Sequence, residues 1–202
     1  MDEINYLPSP FKSENHIQKY SVDKIIEQIS LGQRLDYIFF WKTDKHNLST
    51  GCFSQWQESD FTVGEFNYSC AEQYMMAQKA LLFNDKETFE KILSTINPKE
   101  MKALGRQVKN FNANAWDKAK YKIVLDGNFY KFTQNEGMME ILLSTGNKIL
   151  VEASPFDKIW GIGIDEDNKN IQEPSYWKGE NILGFALMEV REEIANIYKL
   201  KV

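Results

Sequence analysis

The sequence predicts an α+β fold, predominantly helical, in a single domain with a small β-sheet. Two patterns carry that prediction. Helix start signals, each followed by apolar residues at three- and four-residue spacing, fill the middle of the chain, and short β-branched or aromatic runs flank them on both sides. The size agrees: 202 residues, 43% hydrophobic and 13% aromatic, suffice for one sizeable core.

Residues 1–35 read as an N-terminal extension, and residues 36–202 as the domain. Pro8 and Pro10 break the start, and the stretch 22–31 is amphipathic with Ile25, Ile26 and Ile29 together, which suits packing on the domain or on a partner. The run Tyr37-Ile38-Phe39-Phe40-Trp41 reads as a buried strand. Next, Cys52-Phe53-Ser54-Gln55-Trp56 and Phe61-Thr62-Val63 flank a polar turn, and Phe66-Asn67-Tyr68 leads into a helix. That helix has the richest start. Ser69 and Glu72 fit a capping box, while Glu72, Met76 and Lys79 share one face, so Glu72 is either a cap alone or also part of a site.

Asn84 with Glu87 opens the next helix, carrying Phe89, Ile92 and Leu93. Asn97-Pro98 with Glu100 opens another, with proline in the first turn where its missing N–H does no harm. Trp116, Ala119 and Ile123 recur at helical spacing, and 136–143 gives one more short helix. After Gly146, Ile149-Leu150-Val151 reads as a strand. The last element is a long helix over 182–197 with Leu183, Leu187, Val190 and Ile194 inward.

Composition narrows the chemistry. There is no apolar run of ~18 residues and no basic, then apolar, start of a secretory signal, so a cytoplasmic protein without membrane contact is expected. Two cysteines and two histidines, His16 and His46, give no disulfide framework and no metal-ligand spacing, so neither a metal nor a cofactor is expected. Cys70 near a helix N-terminus is a possible thiolate nucleophile, although no histidine stands near it in sequence. The net charge of −5 argues against strong binding to unmodified nucleic acid. Lys99, Lys102, Arg106, Lys109, Lys118, Lys120, Lys122 and Lys131 form either a phosphate-facing patch or a solvated face.

Several segments place polar residues or glycine where a plain core needs none. Phe53-Ser54 precedes a tryptophan, Trp56. Gly105-Arg106 puts glycine inside a helical pattern, which points to close approach of something to the backbone or to close helix packing. The stretch from Leu150 through Glu152, Asp157 and Trp160 to Gly161 and Gly163 runs from a strand into a loop, where site residues concentrate. Gly179-Glu180-Asn181 then opens the last helix, whose first backbone donors suit an anion or a carbonyl.

In this order, the segments resemble the NADAR family, also called YbiA-like. The resemblance runs from about Ile38 to Ile197. It rests on Glu72, Tyr74, Gln78 and Lys79; Gly105 and Arg106; Leu150 to Glu152; Trp160, Gly161 and Gly163; and Gly179, Asn181, Leu183, Gly184, Leu187 and Met188. Gln73 departs from a frequent histidine, Gln55-Trp56 from a common Asn-Phe, and 165–176 reads as an added acidic loop. The resemblance implies a YbiA-like fold and hydrolysis of an N-glycosidic bond: release of ADP-ribose from ADP-ribosylated guanine, or action on ribosylamino intermediates of riboflavin synthesis. A non-catalytic ADP-ribose or nucleotide reader is the alternative from another class. Cleaving a C1′–N bond builds positive charge on the sugar, which a carboxylate stabilises. The expected catalytic residues are therefore Glu72 first, with Asp157 and the amine of Lys79. Ser54, Trp56, Arg106, Glu152, Trp160, Gly161, Gly163 and Asn181 are the expected substrate contacts, Arg106 on a phosphate and a tryptophan stacked on the base.

Overall fold

A computed structural model describes residues 8–12, 16–43 and 48–199. Residues 1–7 and 13–15 of the expected extension, and His46, lie outside these. The described residues divide into two compact units, one drawn from 1–16 and 55–139, the other from 17–54 and 140–202. The secondary structure is predominantly helical, with two two-stranded sheets, an α+β fold as the sequence predicts.

The first unit is built around α3 (Ala71–Leu82), which packs on α4 (Lys86–Ser94), α5 (Pro98–Arg106) and α6 (Ala113–Thr133). Contact on several sides explains why α3 is buried almost all round, polar Glu72 and Gln73 included. A hairpin of β2 (Phe61–Val63) and β3 (Phe66–Tyr68) pairs antiparallel, with Thr62 opposite Asn67. Side-chain caps fix where three of these helices start: Asp85 accepts from Thr88 N, Asn97 from Lys99 N and Asn112 from Ala115 N. Each such cap contributes about 1 kcal/mol. The cap of α4 is thus Asp85, one residue beyond the expected Asn84, which takes a left-handed φ of 56°.

The capping box expected of Ser69 and Glu72 does not form. The N-cap of α3 is Cys70, without a side-chain cap bond. Gln73, three residues inside the helix, reaches back instead and accepts from both Ser69 N (2.7 Å) and Ser69 Oγ (3.1 Å). It is thus the Gln73 amide, one residue further along, and not the Glu72 carboxylate that meets Ser69.

In the second unit, β1 (Tyr37–Phe40) runs parallel to β4 (Ile149–Glu152), Tyr37 opposite Ile149 and Phe40 opposite Glu152. Long α8 (Ile182–Ile197) packs on β4, with Leu183, Leu187, Val190 and Ile194 all buried. A two-stranded sheet gives β1 one strand neighbour, so of the expected buried run only Phe40 is fully covered, Tyr37, Ile38 and Phe39 being half-buried and Trp41 lying past the end of the strand, also half-buried. Cys52–Trp56 is not a strand: it follows the short α2 (Leu48–Gly51) as turns closed by Phe53 N to Thr50 O and Ser54 N to Gly51 O. The amphipathic stretch is helix α1 (Val22–Ser30), burying Ile25 while Ile26 and Ile29 stay exposed. Just before it, Lys19 N donates to the Glu189 carboxylate of α8 at 2.6 Å. Helix α7 (Glu136–Ser144) carries the chain from the residues of one unit to those of the other. Among the described residues, no helix is long and apolar enough to cross a membrane.

Candidate active site

Glu72 is the second residue of α3 and only 3% exposed. Its backbone N–H, one of the donors a helix start leaves without an intrahelical partner, donates to Gln55 O at 2.9 Å. The position favours an anion, because the first turn of a helix carries partial positive charge. Two positions earlier lies Cys70, whose thiol donates to Met101 Sδ at 3.7 Å. Burial, foremost, pushes the Cys70 thiol above its ordinary pKa, and the charge of Glu72 adds to this; Lys131 and the nearby backbone N–H groups oppose it only in part. The helix start therefore does not make Cys70 a thiolate, contrary to the thiol-enzyme reading. Iodoacetamide treatment of the native protein is expected to leave catalytic activity unchanged; loss of activity in step with Cys70 labelling by mass spectrometry would reinstate the thiol.

The groups acting on Cys70 expose a residue that spacing did not single out. Lys131, counted in the sequence among the surface cations, is 0% exposed on α6. The rest of that cationic run is broken up as well. Lys109 pairs with Glu87, Lys120 with Asp117 and Lys122 with Asp126. The signal for Lys131 was its setting, a lysine between Phe129 and Phe132 on an otherwise apolar turn. Two further residues are legible only in three dimensions. Gln55 and Asn128 are buried, and Gln55 Nε2 donates to Asn128 Oδ1 at 3.0 Å.

Lys79, two turns along α3, is half-buried, and its ammonium donates to Gly105 O of α5 at 2.8 Å. It lies 4.4 Å from the ring centre of Phe111 and 5.3 Å from that of Trp116. Those ring faces favour the charged form. Burial, first, and the neighbouring charge of Arg106, second, outweigh them and hold Lys79 below the ordinary lysine pKa. Arg106 itself is exposed at the end of α5. The glycine before it packs closely: a Cβ on Gly105 would stand 1.9 Å from Met76 Sδ, so the Met76 side chain would have to move. Met76 and Lys79 thus both face α5, as their spacing predicts, with Trp56 exposed elsewhere in the same unit.

The remaining predicted residues belong to the second unit, on the chain leaving β4. Asp157 Oδ1 accepts from Ile159 N (3.0 Å) and Trp160 N (2.9 Å), so this carboxylate shapes the turn that carries Trp160. The buried Asn181 accepts from Glu152 N and donates to Leu150 O, both at 2.9 Å, continuing the edge of β4 with a side chain. It does so with a left-handed backbone, φ 54°. The donors at the start of α8 are engaged by the protein's own loop: Asn181 N with Gly161 O, Ile182 N with Ile159 O and Leu183 N with Trp160 O. Of the two ligands the sequence offered that helix start, the structure supplies the carbonyl. Gly161 is buried where a Cβ would meet Glu152 O at 2.7 Å, and Gly163 turns the chain with φ 66°. Ser54 is buried at the end of the turns after α2.

The first unit thus holds Glu72, Lys79, Arg106 and Trp56; the second holds Ser54, Glu152, Asp157, Trp160, Gly161, Gly163 and Asn181. A cavity of about 550 Å³ in the first unit, lined by Phe61, Tyr68, Gln73, Leu93 and Gln134 among others, contains none of them. Two of its amides are tied to backbone, Gln73 to three carbonyls at the end of α4 and Gln134 to both backbone groups of Thr62. What the first unit can do chemically is set by a buried carboxylate at a helix start and an amine of lowered basicity on one helix. This is equipment for stabilising cationic character and for proton or nucleophilic transfer.

Comparison with known proteins gives this geometry its context. The model of the NADAR domain matches residues 39–195. The N-glycosidase R617 of Acanthamoeba polyphaga mimivirus is 49% identical over 163 residues, which cover 78% of this chain and 95% of that protein. The N-glycosidase Npun_R5314 of Nostoc punctiforme is 33% identical over 150 residues, covering 74% and 89% respectively. Among solved structures, the NMR structure of the Escherichia coli protein YbiA superposes with a TM-score of 0.67 at 25% identity, covering 94% of this chain and 95% of that one.

Proposed function

The chain belongs to the NADAR domain family, and on that premise we propose that it is a hydrolase of N-glycosidic bonds that releases ADP-ribose from ADP-ribosylated guanine. The observation that carries this reading is Glu72, an acid buried in the first turn of α3, where Gln73 rather than this carboxylate meets Ser69. As the C1′–N bond lengthens, the sugar becomes cationic, the departing base takes a proton and water supplies the new C1′–O bond. A carboxylate at C1′ stabilises that charge or orients the water. Lys79, held below the usual lysine range, has a larger neutral fraction at a given pH than a solvated lysine. It suits proton delivery to the base or attack on an opened sugar aldehyde. Asp157 is the second carboxylate, with Trp56 or Trp160 stacking on the base and Arg106 binding a phosphate. Ser54, Glu152, Gly161, Gly163 and Asn181 complete the proposed contacts, chiefly by shaping the loops that carry them.

The deciding experiment incubates the full chain with ADP-ribosylated guanosine and follows free ADP-ribose by chromatography, with a ribosylamino-pyrimidine as parallel substrate. Release of ADP-ribose only from the guanosine conjugate is the expected result. Binding without release identifies a reader, and turnover of the pyrimidine alone identifies the riboflavin-type activity. Within this scheme Arg106→Ala is expected to raise KM by the equivalent of about 1.5 to 3 kcal/mol, the range for a hydrogen bond to a charged group. Arg106→Lys restores part of it, since the planar fork is lost. Unchanged kinetics in the alanine variant removes Arg106 from the site.

A further inference from the structure

Gln55 is nine-tenths buried, and its Oε1 accepts no hydrogen bond among the described residues. A buried acceptor left in that state costs about 1–3 kcal/mol, so its persistence calls for an explanation. The orientation of the amide is not arbitrary. Asn128 Nδ2 donates to Val124 O at 2.8 Å, and a carbonyl only accepts, so the Asn128 amide nitrogen must face α6. Its Oδ1 therefore faces Gln55, which must present Nε2 to it. Turning either amide over would set two acceptors, or two donors, against each other. Val124 thus fixes Asn128, Asn128 fixes Gln55, and the group left over is an oxygen.

The same residue holds Glu72, whose backbone N–H donates to Gln55 O. The side chains of Gln55 and Glu72 consequently leave from one hydrogen-bonded junction. We propose that Gln55 is a specificity-determining residue whose Oε1 accepts a hydrogen bond from the hydroxyl next to the anomeric carbon of the ribose being released. This rests on the reading above that Glu72 stands at C1′. A neutral acceptor cannot bind phosphate oxygens or the O6 and N7 of guanine, which are acceptors themselves. The donors of the substrate are its ribose hydroxyls and the N–H groups of the base, and among the donors that the sugar itself carries, whichever base nitrogen it is bonded through, the one closest to C1′ is the hydroxyl on the adjacent carbon.

The test compares ADP-ribosylated guanosine with its analogue lacking that one hydroxyl, using wild-type protein and Gln55→Met, which keeps side-chain length and removes the acceptor. Loss of the hydroxyl also changes the intrinsic lability of the bond, so the informative quantity is the ratio of kcat/KM for the two substrates. It is expected to shift roughly five- to fiftyfold toward the deoxy substrate in the variant, the scale of one neutral to well-buried hydrogen bond. A merely structural effect lowers both substrates alike and leaves the ratio unchanged, which overturns the proposal. Because Gln55→Met also strands Asn128, a second measurement uses the unsubstituted chain: calorimetric binding of ADP-ribose against ADP-ribose lacking that one hydroxyl, expected to favour ADP-ribose by a similar factor. Equal binding overturns the proposal. Discrimination in binding without any hydrolysis supports the hydroxyl contact and overturns the proposed reaction instead.

Discussion

Glu72→Gln is expected to lower hydrolysis of ADP-ribosylated guanosine by two to four orders of magnitude, the contribution of a well-placed acid or base. The substitution is nearly isosteric and removes only the charge and the ionisable proton. Its structural cost is small, because Glu72 does not cap α3: Cys70 occupies the cap position and Gln73 holds Ser69. The backbone bond from Glu72 N to Gln55 O is untouched by a side-chain change. Melting temperature and affinity for ADP-ribose should therefore remain near the wild-type values while kcat falls. A folded Glu72→Gln protein that turns over at the wild-type rate would return this residue to a structural role and make Asp157 the leading carboxylate. The Cys70 thiol supplies an internal check, since the Glu72 charge helps to hold its pKa up and the variant should lower it.

The largest loss of stability is expected at Gly184. A Cβ there would lie 2.1 Å from Leu150 O and 2.7 Å from both side-chain heteroatoms of Asn181. The nearest of these atoms is backbone of β4, which cannot swing aside as a side-chain tip does. Relief must come from separating α8 from β4, which also breaks the Asn181 bonds to Leu150 O and Glu152 N. Overpacking of this kind costs about 1–3 kcal/mol, and each buried hydrogen-bonding group left without its partner adds about 1–3 kcal/mol. Gly184→Ala should therefore lower the melting temperature of a chain this size by roughly 10 °C or more. Gly137→Ala is the matched control: nothing lies within 4 Å of its Cβ position in α7, and a helical alanine gains about 0.5–1 kcal/mol over glycine. If the two variants melt together, close approach is not what fixes glycine at 184.

Helix-forming periodicity and caps are local, so they are written in the sequence. Asn97-Pro98 and Asn112 start α5 and α6 because a short polar side chain reaches the backbone two or three residues on, whatever the rest of the fold does. The extent of α8, 182–197, and the strand at 149–151 follow from apolar runs that have no alternative use. The shared face of Met76 and Lys79 comes equally from spacing, while the neighbour it meets, α5, is a fact of the fold.

What the sequence leaves open are the questions that depend on which distant group arrives first. Ser69-x-x-Glu72 has the form of a capping box, but Gln73 takes the Ser69 N–H and Gln55 O takes the Glu72 N–H, so the box does not form. Whether Lys131 is solvated or wholly buried, whether the Cys70 thiol is lowered by a helix start or raised by burial, and which way the Gln55 amide points are all decided by desolvation and by partners 30 to 75 residues away. The residue types available for chemistry are determined by the sequence alone. Their charge state, orientation and freedom to react belong to the tertiary structure, because only packing removes water and assigns each donor a single acceptor.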